Sequence, residues 1–489
     1  MSATPPAPST SRPPIAILGV PFDNVTTADT LRLVGEMIAT GKPHYLVTAN
    51  VDFVVQAQAD LELRRILHDA HLVVADGMPL VWASRWLGNP LPERVTGSGM
   101  TPLLLAEAER QGWRVYFLGG TEESVARAAT ETRRRHPRLE LVGAYSPPFR
   151  PLLEMDHDDI LRRLREARPD ILLVAFGCPK QEKWLNMHHR AAGVPVGIGV
   201  GATIDFLAGT MRRAPVWMQR AGLEWLYRLA QEPRRLFRRY FTDLWVFGWA
   251  IIRQLRELRG RRRENRGART LEAQSSGTGE DLVLRLPSEL DAATVRGDEA
   301  LRARLGAHPG NLILECAEVT FADSTAFGLL IRLQKECRAR DRQLVLAGPS
   351  PALRRGMELM KLTDFFAQAS DLAAALALVA ERTREQAVVR SFTLGGNAET
   401  VRWTGEITAA RTAEIRALTE HLLDRPEADV ALDLSQVRFI DSSGIGLLVS
   451  LRKRAGRTGA RFAIRHPSPA VREVARLLHL ETYLLGSRS

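Results

Sequence analysis

The sequence predicts a chain of the α/β class, in which a parallel-sheet, Rossmann-like domain is followed by two small α/β domains. Short apolar runs alternate with amphipathic stretches from residue 14 to about residue 256, and this alternation is typical of βαβ units around a parallel sheet. Residues 311–355 then align without a gap on residues 429–473. The offset is constant and separates Asp323 from Asp441, so the chain contains two copies of one small domain.

The apolar runs of the first domain have the length of buried strands. They are IAILGV (15–20), HYLVTAN (44–50), HLVVADG (71–77), RVYFLGG (114–120), LELVGAY (139–145), DILLVAFG (170–177) and PVGIGVG (195–201). Helices are predicted between them, for example over 27–41, 50–70 and 121–136. Ligands of parallel sheets bind at the carboxyl ends of the strands, so we expect functional residues in the polar segments that follow these runs.

Changes in composition along the chain predict its organisation. The N-terminus is rich in Pro, Ser and Thr and has no apolar run behind a basic start, which predicts a disordered leader rather than a signal peptide. A later stretch rich in Arg, Gly and Ser has the composition of a flexible linker. The predicted segments are the leader (1–13), the core of the first domain (14–210), its basic and aromatic appendage (211–256), the linker (257–280), and the two repeats (281–385 and 390–489).

Composition excludes several classes of protein. Of the 489 residues 45% are apolar and 25% are charged, which is ordinary for a globular chain and unlike a disordered or collagen-like one. The three cysteines form no CxxC pair, which argues against a structural zinc site and favours a reducing compartment. No apolar run reaches the ~20 residues of a membrane-spanning helix. We therefore expect a cytoplasmic protein.

Polar residues follow the predicted strands at several places. Two of these places are strand–loop–helix turns, which present backbone N–H groups and the positive end of a helix dipole to a phosphate. Such turns also occur as ordinary tight connections. The candidate site residues of the core are Thr48, Asn50, Asp76, Arg94, Gly119, Gly120, Lys180 and Gln181.

Six stretches of the first domain occur in the order of a known family. They are TANVDFV, VVADGMPLVWASRW, RVTGSGM, VYFLGGTEESV, AFGCPKQEKW and GVGATIDFLAGTMRRAPVWMQRAGLEWLYRLAQEPRRLFRRY. These stretches resemble the WecG/TagA/CpsF glycosyltransferases (family 26) over nearly all of residues 14–255. The resemblance implies inverting transfer of an N-acetylmannosamine-type or related sugar from a UDP donor to a polyprenyl-diphosphate-linked acceptor, without a cofactor or metal. Gly99 departs from the family, in which an acidic residue often follows RVTGS.

The resemblance also implies a role for each matching residue. Inverting transfer needs a base that removes the proton of the acceptor hydroxyl, and Asp76 is the matching position; the alternative is that Asp76 caps the next helix. Thr48 and Asn50 would orient the sugar or the acceptor. Arg94 and Gln181 would hold diphosphate or sugar oxygens, because the planar guanidinium binds phosphate bidentately; the alternative for Arg94 is a surface ion pair.

An Asp-His-Asp triplet at 156–158 has the DxD pattern that suggests a metal site in other glycosyltransferase classes. The triplet opens a predicted helix, where N-capping and the helix dipole explain acidic residues more simply. We therefore expect no metal.

The appendage interleaves arginines with aromatic residues at helical spacing and carries much of the net charge of +11. This pattern is typical of an interfacial helix on anionic lipid headgroups; the alternative is a core-packing helix pair with a solvated basic face. In the resembling family the appendage reaches the membrane and contributes arginines to the site, which here would be Arg228, Arg235 and Arg238. We therefore expect peripheral attachment to the inner face of the cell membrane, and no nucleic-acid partner, since no nucleic-acid-binding fold is recognisable.

In each repeat an Asp and two hydroxyl residues precede a predicted helix, at 323–325 and at 441–443. A helix N-terminus favours an added phosphate. Both repeats resemble the STAS domain of anti-sigma factor antagonists, in which a partner kinase phosphorylates the first serine of this loop. Ser442 matches the family loop fully, whereas Ser324 lies in a loop with Ala326 in place of a glycine. A helix cap without regulation, or oligomerisation of the chain, is the alternative.

Two functions of different class follow. The first is a membrane-associated glycosyltransferase of polysaccharide or glycolipid assembly that is regulated through its STAS modules. The second is a catalytically silent sugar-nucleotide sensor in an anti-sigma antagonist pathway. Retention of Asp76 beside the other polar residues favours the enzyme, because a sensor does not need a base.

Overall fold

The structure is a computed structural model that describes residues 12–211, 214–215, 217–218, 224–231, 233–259, 281–296, 308, 310–340, 342–384, 389–394, 398–424 and 429–485. The chain divides into two compact units. The first unit consists of residues 1–149, 156–185 and 189–379, and therefore contains most of the N-terminal domain together with the first repeat. The second unit consists of residues 150–155, 186–188 and 380–489.

The N-terminal domain is built around a parallel sheet. Its strands are β1 (Ile15–Ile17), β2 (Val20–Phe22), β3 (His44–Ala49), β4 (Leu72–Ala75), β5 (Val115–Gly119), β6 (Leu141–Tyr145), β7 (Ile171–Ala175) and β8 (Val196–Gly199). Six of them form the sheet in the order β4-β3-β8-β7-β5-β6, with every neighbouring pair parallel. Strands β3, β4, β5 and β8 are buried along their whole length, as expected for a parallel sheet that is covered on both faces. This confirms the predicted class.

The first predicted strand differs from the structure. β1 and β2 form a separate antiparallel hairpin and do not join the parallel sheet. Leu18 and Gly19 both adopt positive φ, at 49° and 84°, so the backbone reverses within the apolar run that the sequence presents as one strand. The hairpin is buried despite its separation from the sheet.

Helices follow the strands of this domain at the predicted places. They are α1 (Thr27–Ala39), α2 (Val51–Gln56), α3 (Leu61–Asp69), α4 (Met78–Trp86), α5 (Gly97–Gln111), α6 (Glu122–Arg135), α7 (His157–Ala167), α8 (Lys180–Ala192), α9 (Thr203–Leu207), α10 (Glu224–Gln231) and α11 (Pro233–Arg259). The single helix predicted over 50–70 is two helices, because Asp60 accepts a hydrogen bond from the Leu63 N–H and begins a new helix at α3.

The first repeat contains a second parallel sheet. Its elements are β9 (Leu282–Arg285), β10 (Glu289–Leu290), α12 (Ala292–Arg296), β11 (Leu312–Glu315), β12 (Phe321–Ala322), α13 (Ser324–Ala339), β13 (Leu344–Ala347), α14 (Pro351–Leu359), β14 (Ala367–Ala369) and α15 (Leu372–Arg384). The sheet has the order β14-β13-β11-β9, and β10 pairs with β12 beside it. Its core includes Phe327, Leu330 and Met357, and Ala16 of the β1 strand packs into the same cluster.

The second repeat shares the central strands and the following helices of the first repeat, but one edge pair of its sheet is antiparallel, whereas the four-stranded sheet of the first repeat is parallel. Its elements are β15 (Val389–Leu394), β16 (Ala398–Ile407), α16 (Ala409–Glu420), a 3-10 helix (His421–Asp424), β17 (Asp429–Ile440), α17 (Ser442–Thr458), β18 (Arg461–Arg465), α18 (Pro469–Leu477) and α19 (Glu481–Leu485). The sheet order is β15-β16-β17-β18. Helices α17 and α18 begin at the residues that the repeat offset pairs with the first residues of α13 and α14. The internal duplication therefore holds in structure.

Candidate active site

Asp76 lies directly after β4, at the carboxyl edge of the sheet. Its N–H donates to the Ala49 carbonyl at 2.8 Å, which fixes it beside the end of β3. Its Oδ2 accepts a hydrogen bond from the Gly97 N–H at 3.2 Å, and Gly97 is the first residue of α5. The Asp76 carboxylate therefore lies at the N-terminus of a helix, the end at which a negative charge is stabilised.

Two further candidates, Thr48 and Gln181, lie at the same edge as Asp76. A Cβ added to Gly97 would lie 3.3 Å from Thr48 Oγ1, so the start of α5 packs against that hydroxyl. Thr48 Oγ1 in turn donates to the Gly199 carbonyl at the end of β8, at 3.2 Å. Gln181 Oε1 accepts from the Gly201 N–H at 3.2 Å. The neighbouring ends of β4, β3 and β8 thus gather Asp76, Thr48 and Gln181 at one edge, as the parallel topology predicts.

Asn50 has a local structural role in addition to its place at this edge. Its side chain accepts a hydrogen bond from the Phe53 N–H at 3.3 Å and caps α2. The amide group lies one residue beyond the end of β3, beside the segment that positions Asp76. A cap of this kind holds the side chain in a fixed orientation at the sheet edge.

Arg94 forms an ion pair with Glu224 of the appendage, with Nη1 and Oε2 separated by 3.2 Å. The two side chains are only 16% and 7% exposed, so the pair is largely buried rather than on the surface. The next residue, Val95, donates its N–H to the Ala75 carbonyl at 3.0 Å. Arg94 is therefore placed near Asp76, and its partner comes from α10.

The two glycine turns are formed as predicted. Gly119 ends β5 with a φ of 102° and Gly120 follows with a φ of 79°, conformations that favour glycine. Thr121 then caps α6, accepting from the Ser124 N–H at 3.1 Å. Lys180 begins α8, and its Nζ lies 5.0 Å from the ring centroid of Phe149. Burial lowers the pKa of the Lys180 ammonium.

Glu182 is a further buried carboxyl group at this edge of the sheet, and its sequence motif alone did not point to it. It is 0% exposed, and its Oε1 accepts a hydrogen bond from Gln181 Nε2 at 2.7 Å. The pKa of Glu182 is raised to about 8, mainly by burial and to a smaller extent by the charge of Asp52. The hydrogen bond from Gln181 acts in the opposite direction. Both polar atoms of the Gln181 amide are therefore hydrogen-bonded: Nε2 donates to Glu182, and Oε1 accepts from the Gly201 N–H. Helical spacing is a signal that could have revealed it, because Leu185 and His189 continue the same buried face.

The stability of the protein should depend on pH through Glu182. The unfolded chain loses this proton near pH 4.5 and the folded chain near pH 8, so the stabilisation is complete below the lower value. It then falls by about 1.4 kcal/mol per pH unit until the upper value is reached. Glu182→Gln keeps the shape and removes the titration, so its thermal midpoint should rise relative to wild type between pH 5 and pH 8. Glu123→Gln, on the exposed face of α6, is the matched control; parallel pH profiles of Glu182→Gln and wild type would contradict the assignment.

The Asp-His-Asp triplet and the arginines of the appendage are the remaining candidates of the first domain. Asp156 of the Asp-His-Asp triplet caps α7, accepting from the Asp159 N–H at 3.0 Å, so the capping interpretation is confirmed. Within the described ranges, no group of three or more His, Cys, Asp or Glu side chains is placed to hold a metal ion. The backbone of Arg228 lies in α10, and that of Arg235 and Arg238 in α11, but their side chains lie outside the described part of the structure.

The appendage exposes a row of aromatic side chains. Phe237, Phe241, Trp245 and Trp249 recur every four residues of α11 and are between 62% and 71% exposed; we call them the aromatic stripe. The opposite face of α11 is buried at Phe247, Ile251 and other positions. Of the helices that the structure describes, none combines the length and the apolar character needed to cross a membrane.

The two STAS-type serines open α13 and α17, as predicted. Asp323 caps the first helix, accepting from the Thr325 N–H at 2.7 Å and from the Ala292 N–H at 3.0 Å. Asp441 caps the second, accepting from Gly444 and Ala409 N–H groups at 3.0 and 2.9 Å. Burial raises the pKa of Asp323 to about 6. Both Ser324 and Ser442 are buried.

Comparison with known proteins identifies each part of the chain. The model of the glycosyl transferase WecG/TagA/CpsF family matches residues 15–261. A STAS-domain model matches residues 272–375, and a second one, described as "Mlab, STAS domain", matches residues 391–486. The first match covers half of the chain, and the two others cover the repeats.

Similar proteins include two curated transferases and one solved structure. An N-acetylglucosaminyldiphosphoundecaprenol N-acetyl-beta-D-mannosaminyltransferase of Staphylococcus aureus strain MW2 is 28% identical over 247 residues, which are 50% of this chain and 94% of the relative. The protein with the same name from strain MRSA252 is 27% identical over the same shares. The structure of the anti-sigma factor antagonist SpoIIAA in its unphosphorylated form is 22% identical and covers 20% of this chain and 85% of that chain, with a TM-score of 0.18. The chain belongs to the WecG/TagA/CpsF glycosyltransferase family and carries two STAS domains after its glycosyltransferase domain.

Proposed function

We propose that this chain transfers an N-acetylmannosaminyl-type sugar from a UDP donor to a polyprenyl-diphosphate-linked acceptor during assembly of a cell-surface polysaccharide. The observation that carries the proposal is the series of contacts from Asp76 through Gly97 and Thr48 to Gly199 at one sheet edge. The Staphylococcus aureus relatives, whose names describe N-acetylmannosaminyl transfer to a diphosphoundecaprenol-linked sugar, support the substrate class.

In the proposed reaction Asp76 acts as the general base. Its carboxylate takes the proton of the acceptor hydroxyl as that oxygen attacks the anomeric carbon of the donor sugar. The bond from the anomeric carbon to the UDP oxygen breaks, and UDP leaves with the electron pair, so the configuration at that carbon inverts. The hydrogen bond from the Gly97 N–H to Oδ2 holds the Asp76 carboxylate at the carboxyl edge of the sheet.

The leaving diphosphate needs positive charge and N–H groups around it. The Gly119-Gly120 turn before α6 and Lys180 at the start of α8 are the described groups suited to this role. Arg94 would add a guanidinium near Asp76, and Arg228, Arg235 and Arg238 are the proposed contributions of the appendage. Thr48, Asn50 and Gln181 would orient the sugar and the acceptor. We propose that no metal or cofactor takes part.

The proposed location is the inner face of the cell membrane, with the enzyme attached peripherally. The aromatic stripe supports this, because exposed Trp and Phe side chains along one helix face suit the boundary between headgroups and acyl chains. A polyprenyl-linked acceptor also resides in that membrane. Arginines of the appendage would add attraction to anionic lipids.

The STAS domains are proposed to regulate the enzyme, with Ser442 as the residue that a serine kinase modifies. The complete Asp-Ser-Ser-Gly-x-Gly loop at the start of α17 supports this choice. A phosphate on Ser442 would add about two negative charges at neutral pH and should repel a kinase-type partner. Ser442→Ala should retain the partner in a pull-down and Ser442→Asp should lose it. Equal recovery with both variants, or no phosphate at Ser442 by mass spectrometry of protein from its native cells, would contradict the proposal.

A donor panel tests the proposed reaction. Purified full-length protein is incubated with a short-chain lipid-diphosphate N-acetylglucosamine acceptor and with each of several UDP-sugars, with EDTA and with Mg²⁺. We expect UDP release with UDP-N-acetylmannosamine, unchanged by EDTA, and a disaccharide product with the inverted linkage. Binding of UDP-sugars without turnover for any donor would favour the silent sensor.

A further inference from the structure

We infer that the first STAS domain is docked on its own glycosyltransferase domain as a fixed part of the enzyme, through the helix end that carries Ser324. Ser324 is 0% exposed, and its Oγ accepts a hydrogen bond from Gln254 Nε2 at 2.9 Å. Gln254 belongs to α11 of the enzyme domain. The first serine of this loop is therefore engaged by the enzyme and not by a separate protein. This inference does not depend on the proposed reaction.

Gln254 joins three segments of the chain. Its Oε1 accepts from the Leu18 N–H at 3.0 Å, and its Nε2 donates to the Ala16 carbonyl at 3.2 Å as well as to Ser324. The Gln254 side chain is itself fully buried. Both polar atoms of the Gln254 amide are hydrogen-bonded, and leaving a buried amide unpaired costs free energy. Gln254 of α11 therefore stabilises the contact between α13 and the β1–β2 hairpin.

The backbones of the two domains approach closely because each supplies a glycine. A Cβ added to Gly328 of α13 would lie 2.4 Å from the Pro14 carbonyl oxygen. A Cβ added to Gly19 of the hairpin would lie 2.1 Å from the Met360 carbonyl oxygen. No side chain larger than hydrogen fits at either position while the domains remain in contact.

One face of α13 carries basic side chains toward the enzyme domain. Arg332, Lys335 and Arg338 recur every three residues, which places them on the same side of the helix. Arg332 pairs with Asp23 at 3.7 Å and Arg338 with Asp69 at 3.3 Å. The Lys335 ammonium donates to the carbonyl of Ala70, directly after α3. Burial lowers the pKa of Lys335.

The second repeat lacks this basic face. The repeat offset pairs Arg332 with Ser450 and Arg338 with Gly456, and only Lys335 has a basic counterpart, Lys453. The two copies therefore share a fold but not this docking surface.

Controlled cleavage of the full-length chain tests the inference. One specific protease site is inserted within 260–280 and another within 385–388, both outside the described residues, and the cut protein is separated by gel filtration. The fragment that carries the first STAS domain should co-elute with the enzyme fragment in the wild-type sequence. Elution of that fragment apart from the enzyme would overturn the inference.

Two substitutions should release the fragment. Gly328→Ala improves helix propensity within α13 but overfills the contact with Pro14, so co-elution should fall by about tenfold or more. Ser324→Asp places a charge in the buried contact with Gln254 and should do the same. The matched controls are Gly446→Ala, whose added Cβ would have its nearest neighbours at 3.6 Å, and Ser442→Asp; both should retain the fragment. Circular dichroism of the released fragment checks that it is folded, and undiminished co-elution with Gly328→Ala would contradict the inference.

Discussion

Asp76→Asn should reduce turnover by about 10² to 10⁴ while UDP-sugar binding persists. The amide oxygen can still accept the hydrogen bond from the Gly97 N–H that the carboxylate accepts at 3.2 Å, so the site should keep its shape. The amide cannot take a proton from the acceptor hydroxyl, and general base catalysis contributes a factor of this size. UDP release under saturating donor and acceptor measures turnover, and calorimetric titration with UDP-sugar measures binding.

Asp158→Asn is the matched control for this substitution. Asp158 is an exposed aspartate in the first turn of α7, so its amide variant should turn over at the wild-type rate. If Asp76→Asn retained near-normal turnover, Asp76 would have no part in proton transfer. If Asp158→Asn lost activity instead, the Asp-His-Asp triplet would have a role beyond capping.

Replacing Trp245 and Trp249 by Glu should reduce binding to anionic liposomes by about 10² to 10⁴. Both side chains belong to the aromatic stripe and are 71% and 65% exposed. Burial of one large apolar side chain contributes about 1.5–3 kcal/mol, and two such contributions give this range of partition constants. Because the lipid surface also attracts basic residues, wild-type binding should weaken as salt rises.

The control for the stripe is an exposed apolar residue of another helix. Leu477 lies in α18 and is 71% exposed, so Leu477→Glu makes the same kind of apolar-to-acidic change at one exposed position outside the appendage. Sedimentation with vesicles in which about one third of the lipid is anionic measures the bound fraction of each variant. Equal losses in the two, or salt-independent binding of the wild type, would contradict the peripheral attachment.

The sequence predicts the carboxyl edge of the parallel sheet better than the other contacts of the fold. Six apolar runs become the six strands of one parallel sheet, and parallel strands end at one edge, so Thr48, Asp76 and Gln181 had to lie near one another. The hairpin at β1 and β2 was not predicted, because an apolar run does not reveal that positive φ at Leu18 and Gly19 reverses the chain.

Contacts between distant segments could not be predicted from local patterns. Glu182 lies in the AFGCPKQEKW stretch. Helical spacing can place it on the buried face of its helix, but only the tertiary structure shows that its carboxyl accepts a hydrogen bond from Gln181. Gln254 looks like an ordinary polar residue of a long helix, although it joins the hairpin to Ser324. Such pairings depend on tertiary packing, which propensity and periodicity do not encode.

The buried ion pair between Arg94 and Glu224 links the core of the first domain to the appendage. A residue change at either position therefore affects both segments. Removing one member of a buried pair typically costs 3–5 kcal/mol, because the other charge is left without compensation. An enzyme cut off after the core would lose Glu224 together with the aromatic stripe, so its lower activity would not report on lipid binding alone. Exchange of appendages between relatives should likewise succeed only when the residues at both positions are exchanged together, and any substitution of Arg94 should need a compensating change in α10.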